Sequence, residues 1–303
     1  MSTCAATIAQ RKFVLVTGVE GSGTTMLARV LGQCCESCSR FAAHSDEGTV
    51  GNSSRLESSA ALKSFDRFVM AAWNVRRFVN RSCTDWWASS APLTVVDAAP
   101  EERQAAFAKA VCAFMDHSPG LRLFAYHRSA PFHKCNIPFM RDLANNTRSL
   151  QLCGVALHVA VSSRDLVDAF RSQRRRHFGQ SDSQRLAAGS EAAQAKKEDY
   201  YTRRSSRSTA AAAKWLADEM RALPPRALTL VRYEALLGSR TTRADQLARL
   251  AGRLGVDPAA LARASDFDTA ATLVSRGRPR NASRLERELE RELRVASDRL
   301  GMV

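Results

Sequence analysis

The chain has 303 residues, with 45% apolar and 25% charged side chains. This is the composition of an ordinary globular protein and excludes collagen-like, disordered and disulfide-scaffold chains. The 45 Lys and Arg residues exceed the 30 Asp and Glu residues by 15, so an anionic partner is expected: nucleic acid, an acidic membrane surface or a phosphorylated ligand. The length fits one large α/β domain or two small ones.

The membrane-span, signal-peptide and cysteine patterns of the sequence predict a cytosolic protein with reduced thiols. No stretch approaches the 18 apolar residues of a membrane span, and residues 1–12 lack the apolar core and cleavage site of a signal peptide. Eight cysteines are too sparse for a disulfide framework in a chain of this length. Cys34, Cys35 and Cys38 cluster without a second Cys/His pair at zinc-like spacing, so reduced thiols are expected and no metal site.

Hydrophobic periodicity predicts strands that alternate with helices. Short apolar, β-branched runs predict buried strands at 13–17, 93–96, 121–126, 155–161 and 227–231. Apolar residues at helical spacing predict helices at 24–32, 62–81, 101–115, 138–150, 164–176, 209–223, 242–254 and 283–300. Residues 33–60 show little periodicity and are predicted to form a loop.

The alternation predicts three layers, with a mostly parallel central sheet flanked by helices. Residues 178–208 interrupt it, because they are polar and poor in apolar side chains. They are expected to form either a mobile insertion or a polar helix that covers another part of the molecule. We therefore expect one α/β domain over 1–303, with its core at 11–177 and 209–303 and an insertion or lid near 178–208.

A glycine-rich segment, Gly18-Val-Glu-Gly-Ser-Gly-Thr-Thr25, joins the first strand to the first helix. It has the glycine spacing of a Walker A loop, but Thr24 stands where that loop has its lysine. Glycines let backbone N–H groups point inward, and the helix N-terminus adds partial positive charge. The segment predicts a phosphate cradle built from Gly21, Ser22, Gly23, Thr24 and Thr25. The alternative is an ordinary glycine-rich strand-to-helix turn.

Two segments together resemble the cofactor motifs of sulfotransferases. Gly21 to Thr25, followed by two apolar residues, is similar to the family's loop for the 5′-phosphosulfate of 3′-phosphoadenosine 5′-phosphosulfate (PAPS). Residues 164–172, Arg-Asp-Leu-Val-Asp-Ala-Phe-Arg-Ser, resemble its 3′-phosphate motif, with Leu166 replacing the family's proline. The resemblance implies a P-loop NTPase-like fold of the sulfotransferase type, with Arg164 and Ser172 on the 3′-phosphate and no metal. Chemically, Arg164 offers a bidentate guanidinium.

Two weaker similarities lie towards the C-terminus. Residues 231–237, Val-Arg-Tyr-Glu-Ala-Leu-Leu, resemble a mostly structural stretch after the family's last strand. Residues 275–280, Ser-Arg-Gly-Arg-Pro-Arg, occupy the place of the family's basic loop against the cofactor but do not reproduce its Arg-Lys-Gly form. Arg276, Arg278 and Arg280 are therefore candidate cofactor ligands.

Candidate catalytic groups are less sharply indicated. Many sulfotransferases carry a Lys or Arg immediately before Ser-Gly-Thr-Thr, whereas this chain has Gly21 there. The resemblance places His127 and Arg128 at the end of a strand where the family has a Lys-x-His-type motif. His127 can act as a general base and Arg128 can supply the missing charge; the alternative is a histidine satisfied at a strand end. Glu20 is a second candidate base.

The resemblance therefore predicts a PAPS-dependent transferase that sulfates a hydroxyl or amine of a carbohydrate or small-molecule acceptor. The alternatives are a P-loop nucleotide-binding kinase or hydrolase, disfavoured by the missing lysine, and a degenerate PAPS- or polyanion-binding protein without turnover. Nucleic acid is disfavoured because only 7% of residues are aromatic. The expected compartment is the cytoplasm; the Golgi lumen is the alternative if the natural protein carries an anchor that this chain lacks.

Overall fold

A computed structural model describes residues 8–34, 38–42, 108, 111–113, 115–116, 120–127, 143–179, 191–265 and 284–300. The predicted helix at 62–81, the predicted strand at 93–96 and the basic loop at 276–280 lie outside these residues.

Five parallel strands form one sheet in the order β2-β3-β1-β4-β5. Their bounds are β1 Lys12–Gly18, β2 Cys38–Ala42, β3 Leu123–His127, β4 Ala156–Ser163 and β5 Leu228–Arg232. β1 is central, paired with β3 on one side and β4 on the other. Because β1, β3 and β4 are covered on both faces, their residues are almost all buried. In β5, at one edge of the described sheet, buried and more exposed residues alternate.

Eight helices are labelled here in chain order. Their bounds are α1 Thr24–Gly32, α2 Leu143–Gln151, α3 Leu166–Gly179, α4 Glu191–Ala222, α5 Tyr233–Leu236, α6 Arg240–Leu254, α7 Pro258–Ala264 and α8 Arg284–Leu300. The described residues between 108 and 116 are also helical. No helix in these parts of the chain is long and apolar enough to span a bilayer.

Alternate strand residues build the two cores of this α/β fold. Phe13 and Leu15 face one side, where α2 and the helical residues near 111 pack. Val14 and Val16 face the other side, against α1, α6 and α7. A third apolar cluster joins α3, α4 and α8. The predicted parallel sheet between helices is confirmed.

Two segments differ from the sequence-based expectation. Residues 38–42, predicted as loop, form β2, which is at an edge of the sheet and pairs with β3 alone among the described strands. An edge strand needs pairing on one side only, so it forms without the apolar run that marks a buried strand. Residues 191–208 extend the predicted helix at 209–223 into the 32-residue α4, so the polar-helix alternative holds for them.

The expectation of free thiols is wrong for four cysteines. Cys34 and Cys38 form a disulfide that joins the end of α1 to the start of β2. Cys112 and Cys153 form a second disulfide, which joins the helical residues near 111 to the turn before β4. Cys112 and Cys153 are 41 positions apart, and tertiary packing brings them together, whereas Cys34 and Cys38 are four positions apart, in the cluster already visible in the sequence.

Candidate phosphate-binding site

The glycine-rich loop lies at the carboxyl end of the central strand. The chain leaves β1, builds β2 and β3 on one side of it and later crosses to β4 and β5 on the other. This reversal is a topological switch point, where open parallel sheets bind their ligands. Register places Gly18 beside Ser162 of β4 and Val16 beside His127 of β3, so side chains from three strands converge on the loop.

Two glycines of the loop are required by its conformation. Gly21 and Gly23 have φ values of 88° and 87°, in the left-handed region that favours glycine. A Cβ on Gly21 would stand 2.5 Å from the carbonyl oxygen of Ala169, and one on Gly23 would run into the ring of Tyr233. The backbone of the loop therefore packs directly against α3 and against Tyr233, the residue that follows β5.

Three successive loop carbonyls accept hydrogen bonds from side chains of β4 and the segment after it. Gln173 Nε2 donates to the carbonyl of Glu20 at 3.2 Å. Arg164 Nη1 donates to the carbonyl of Gly21 at 2.8 Å. Ser162 Oγ donates to the carbonyl of Ser22 at 2.5 Å.

These bonds decide which way the loop amides face. In a trans peptide, each N–H points away from the carbonyl of the preceding residue. The N–H of Gly21 and the N–H of Gly23 therefore point away from β4 and α3, while the N–H of Ser22 donates to Val19 at 2.9 Å. Amides turned to one side beside a helix N-terminus form an anion-binding concavity.

Hydroxyl groups line the same corner. Thr17, Ser22, Thr24 and Ser162 are all buried at the ends of β1 and β4 or in the loop. The oxygens Oγ1 of Thr17 and Oγ of Ser22 have no hydrogen-bond partner among the described residues. Because a buried hydroxyl without a partner is costly, two such groups beside turned-in amides suit a site completed by a ligand.

His127 contacts the loop directly. Its Nε2 and the Oγ1 of Thr24 form a hydrogen bond of 2.8 Å. The predicted base therefore lies at the residue that replaces the Walker A lysine, next to the first turn of α1. Glu20, the second candidate base, is partly exposed, and its backbone carbonyl is held by Gln173.

Arg164 is buried between the loop and Tyr233. Its guanidinium carbon lies 4.4 Å from the centroid of the Tyr233 ring, and Nη1 holds the carbonyl of Gly21. Its Nε is buried without a hydrogen-bond partner among the described residues. Arg164 thus braces the loop and keeps one donor for a further acceptor.

The rest of the 164–172 segment divides by role. Asp165 caps α3, accepting a 2.9 Å hydrogen bond from the N–H of Asp168. Arg171 turns away to α8, forming a two-pronged ion pair with Glu290 at 2.7 and 2.8 Å. That hydrogen bonding raises the pKa of Arg171 above its ordinary value. Ser172 lies at the loop, because a Cβ on Gly21 would stand 3.2 Å from its Cβ.

The structure brings most of the predicted cofactor residues together. Gly21, Ser22, Gly23, Thr24 and Thr25 form the loop and the start of α1, with Arg164, Ser172 and His127 around it. Arg128, Arg276, Arg278 and Arg280 lie outside the described residues. Within the described part of the chain no group of His, Cys, Asp and Glu is arranged to hold a metal ion.

Three residues of the site were missed by sequence reasoning. Gln173 and Ser162 bond loop carbonyls 153 and 140 positions away in the chain. Tyr233 supplies the ring on which Arg164 stacks and against which Gly23 packs. No local pattern relates such distant residues, and only Tyr233 carried a signal, through the weak resemblance of 231–237.

Comparison of the chain with family models, curated proteins and solved structures finds no match in any of the three. The residues and geometry of the loop are therefore what indicate a function.

Proposed function

We propose that the protein is a PAPS-dependent sulfotransferase. The observation that carries this proposal is the contact between the two motifs that resemble the sulfotransferase loops. Gly21 packs against Ala169 and Ser172, and Arg164 donates a hydrogen bond to the carbonyl of Gly21. A ligand with a 5′-phosphosulfate and a 3′-phosphate needs two anion sites close together, and these segments supply them.

The chain's own residues fit such a ligand without a metal. The loop amides and the N-terminus of α1 would hold the 5′-phosphosulfate oxygens, while Ser172 and the unpartnered Nε of Arg164 would meet the 3′-phosphate. Thr24 in place of lysine gives this pocket a hydroxyl rather than a cation. That substitution disfavours a nucleoside triphosphate, whose terminal phosphates need more positive charge.

Proton transfer is assigned to His127. PAPS supplies an activated sulfuryl group whose S–O bond to the 5′-phosphate breaks as the acceptor oxygen bonds to sulfur. His127 takes the proton of the acceptor hydroxyl as that bond forms, and Thr24 orients the imidazole through its 2.8 Å hydrogen bond. The loop amides stabilise the charge that develops on the departing phosphate oxygen, adenosine 3′,5′-bisphosphate being released.

The test is a thermal-shift series with PAPS, adenosine 3′,5′-bisphosphate, ATP and GTP. Selective binding of the 3′-phosphorylated nucleotides should raise the melting temperature by about 4 °C at a hundredfold excess over Kd. Equal stabilisation by ATP and GTP would instead identify a nucleoside-triphosphate protein.

A pair of variants locates the binding. Arg164→Ala should abolish the shift, whereas Arg243→Ala should preserve it. Arg243 is a matched control, because it also donates Nη1 to a carbonyl, that of Ser265 at 3.2 Å, and has a buried Nε without a partner among the described residues. A full shift in Arg164→Ala would contradict the assignment of that residue.

A second candidate, a PAPS-binding protein without turnover, is favoured by Gly21, which stands where many sulfotransferases have a basic residue. Transfer of radiolabelled sulfate from PAPS to a panel of sugars and phenols separates the two. Nucleotide binding without transfer to any acceptor would support the non-catalytic protein.

A further inference from the structure

Gln173 is held at both ends of its side-chain amide. Nε2 donates to the carbonyl of Glu20 at 3.2 Å, and Oε1 accepts a hydrogen bond of 3.4 Å from the hydroxyl of Thr209 on α4. Gln173 and Thr209 are 4% and 0% exposed. Because a carbonyl only accepts, the amide nitrogen must face Glu20, and Thr209 must then donate to the oxygen.

The hydrogen bond between Gln173 and Thr209 lies beside an apolar cluster. Farther along α4, Ala212, Ala213 and Leu216 pack with α3 in an apolar cluster. Thr209 stands at the beginning of this stretch, where an apolar residue of similar volume would fill the same space. Burying two polar side chains there is costly unless both are hydrogen-bonded.

We propose that Gln173, oriented by Thr209, is the positioning residue that holds the phosphate loop in its anion-binding conformation. Among the three donors to the loop carbonyls, Gln173 is the one that ties the loop to α4, through its hydrogen bond with Thr209. With its amide turned over, the oxygen of Gln173 would face the carbonyl of Glu20 and repel it. Thr209 prevents that flip, so α4 contributes to the shape of the loop through Gln173. The part of this role that concerns nucleotide affinity rests on the proposed function.

The test compares two glutamines of equal burial. Gln173→Glu keeps the shape of the side chain but replaces the donor with an acceptor. Gln246→Glu is the control: Gln246 is also 4% exposed and donates Nε2 to a carbonyl, that of Leu230 at 3.1 Å, on the other face of the sheet. Thr209→Val removes the orienting hydroxyl, and Thr209→Ser retains it.

Two readouts are measured, one of them without ligand. Hydrogen exchange of the amides at 20–23 should be about tenfold faster in Gln173→Glu, which is the fold-change expected for a lost hydrogen bond to a buried group. Thr209→Val should show a smaller increase, Thr209→Ser should match the parent, and Gln246→Glu should leave these amides unchanged. Affinity for adenosine 3′,5′-bisphosphate should fall most in Gln173→Glu and less in Thr209→Val. The unfolding midpoint of Gln173→Glu should differ little from that of Gln246→Glu.

The outcomes separate this proposal from the proposed function. Unchanged exchange at 20–23 in Gln173→Glu, or equal changes in Gln246→Glu, would overturn the positioning role. Faster exchange in a protein that binds no 3′-phosphorylated nucleotide would retain the positioning role and reject the proposed ligand.

The disulfides carry a second, independent inference. All four cysteines among the described residues are paired, Cys34 with Cys38 and Cys112 with Cys153. Their Cα atoms are 5.9 and 6.0 Å apart, within the usual range for a disulfide. Cys34 and Cys38 lie in the core between α1 and the sheet. Since structural disulfides form and persist in oxidising compartments, we propose that this protein folds in one.

Thiol mapping tests this inference. Protein from a secretory host is denatured without reductant, alkylated and digested. The peptides that contain Cys34, Cys38, Cys112 and Cys153 should carry no label until a reductant is added. Reduction should lower the melting temperature by about 5–10 °C, and Cys112→Ser/Cys153→Ser should lower it comparably without reductant. Complete labelling before reduction, or an unchanged melting temperature after it, would overturn the proposal.

Discussion

Two histidines of the same sheet each pair with a threonine, yet they lie in very different surroundings. His127 meets Thr24 at 2.8 Å at the carboxyl end of β3, and His158 meets Thr229 at 2.9 Å between β4 and β5. His158 is level with Val14 of β1, two residues nearer the amino edge than His127, which is level with Val16. A hydrogen bond between a histidine and a threonine therefore does not by itself indicate a functional site.

The surroundings separate the two pairs. Beside His127 lie positive-φ glycines, amides that point away from β4 and α3, and the first turn of a helix. His158 is buried in the sheet, and desolvation, followed by the charges of Lys12 and Arg253, lowers its pKa to about 4. It is thus held neutral as part of the core, whereas His127 borders the loop that we propose binds an anion.

The largest expected effect separates the two histidines in catalysis. His127→Ala should reduce sulfuryl transfer by about 10²–10⁴-fold, the usual contribution of general base catalysis. Nucleotide affinity should change little, because the loop amides remain. His158→Gln is the control and should retain full turnover. Steady-state kinetics with PAPS check this, and equal losses in the two variants would remove His127 from the mechanism.

The next effect concerns the loop beside His127. Gly23→Ala should lower the free energy of unfolding by about 2–4 kcal/mol, because Cβ would run into Tyr233 and φ is 87°. It should also abolish nucleotide binding. Gly252→Ala in α6, where a Cβ would meet nothing within 4 Å, should instead stabilise the protein by about 0.5–1 kcal/mol. Urea unfolding measures both changes; equal stabilities would show that the loop tolerates a side chain.

The pH dependence of stability probes the other histidine. The pKa of His158 is about 4 in the folded protein, against an ordinary value of 6.5. Its contribution to stability is therefore complete above pH 6.5 and is lost as the pH falls towards 4, because the unfolded chain takes up the proton more readily. The loss approaches roughly 3 kcal/mol, since one pKa unit corresponds to about 1.36 kcal/mol.

Urea midpoints at pH 7, 5.5 and 4.5 measure this dependence. His158→Gln should flatten the slope between pH 6.5 and 4 relative to the parent protein. The same slope in both proteins would mean that other groups cause the acid sensitivity.

The smallest expected effect lies at the outer side of the site, where Arg171 of α3 pairs with Glu290 of α8. Glu290→Gln leaves Arg171 with its 3.6 Å contact to Asp168 and should lower the free energy of unfolding by about 1 kcal/mol, because the side chain of Arg171 is 45% exposed and can be hydrated. Glu288→Gln, at an exposed position of the same helix, is the control. Equal unfolding midpoints for the two variants would mean that the ion pair contributes nothing.

The sequence predicted the buried parts of the fold better than its edges. β1, β3 and β4 were recognised because strands packed between layers of helices carry nearly continuous apolar runs. β5 was recognised from a similar apolar run, although it lies at an edge of the described sheet and buries only alternate residues. β2 was missed because an edge strand forms by pairing with the neighbouring strand and need not carry a recognisable apolar run. The short helix α7 was also missed, since its seven residues give too little periodicity to recognise.

What the sequence alone determined was the glycine-rich loop between β1 and α1, because turn glycines, hydroxyl residues and the start of a helix are neighbours along the chain. Tertiary structure decided what surrounds that loop: Ser162, Arg164 and Gln173 on three successive carbonyls, His127 on Thr24, and both disulfides. These contacts join residues mostly more than 40 positions apart, and such pairs are set by how layers pack rather than by local conformational preference. The same packing also decided which of two histidine–threonine pairs borders the loop and which is core.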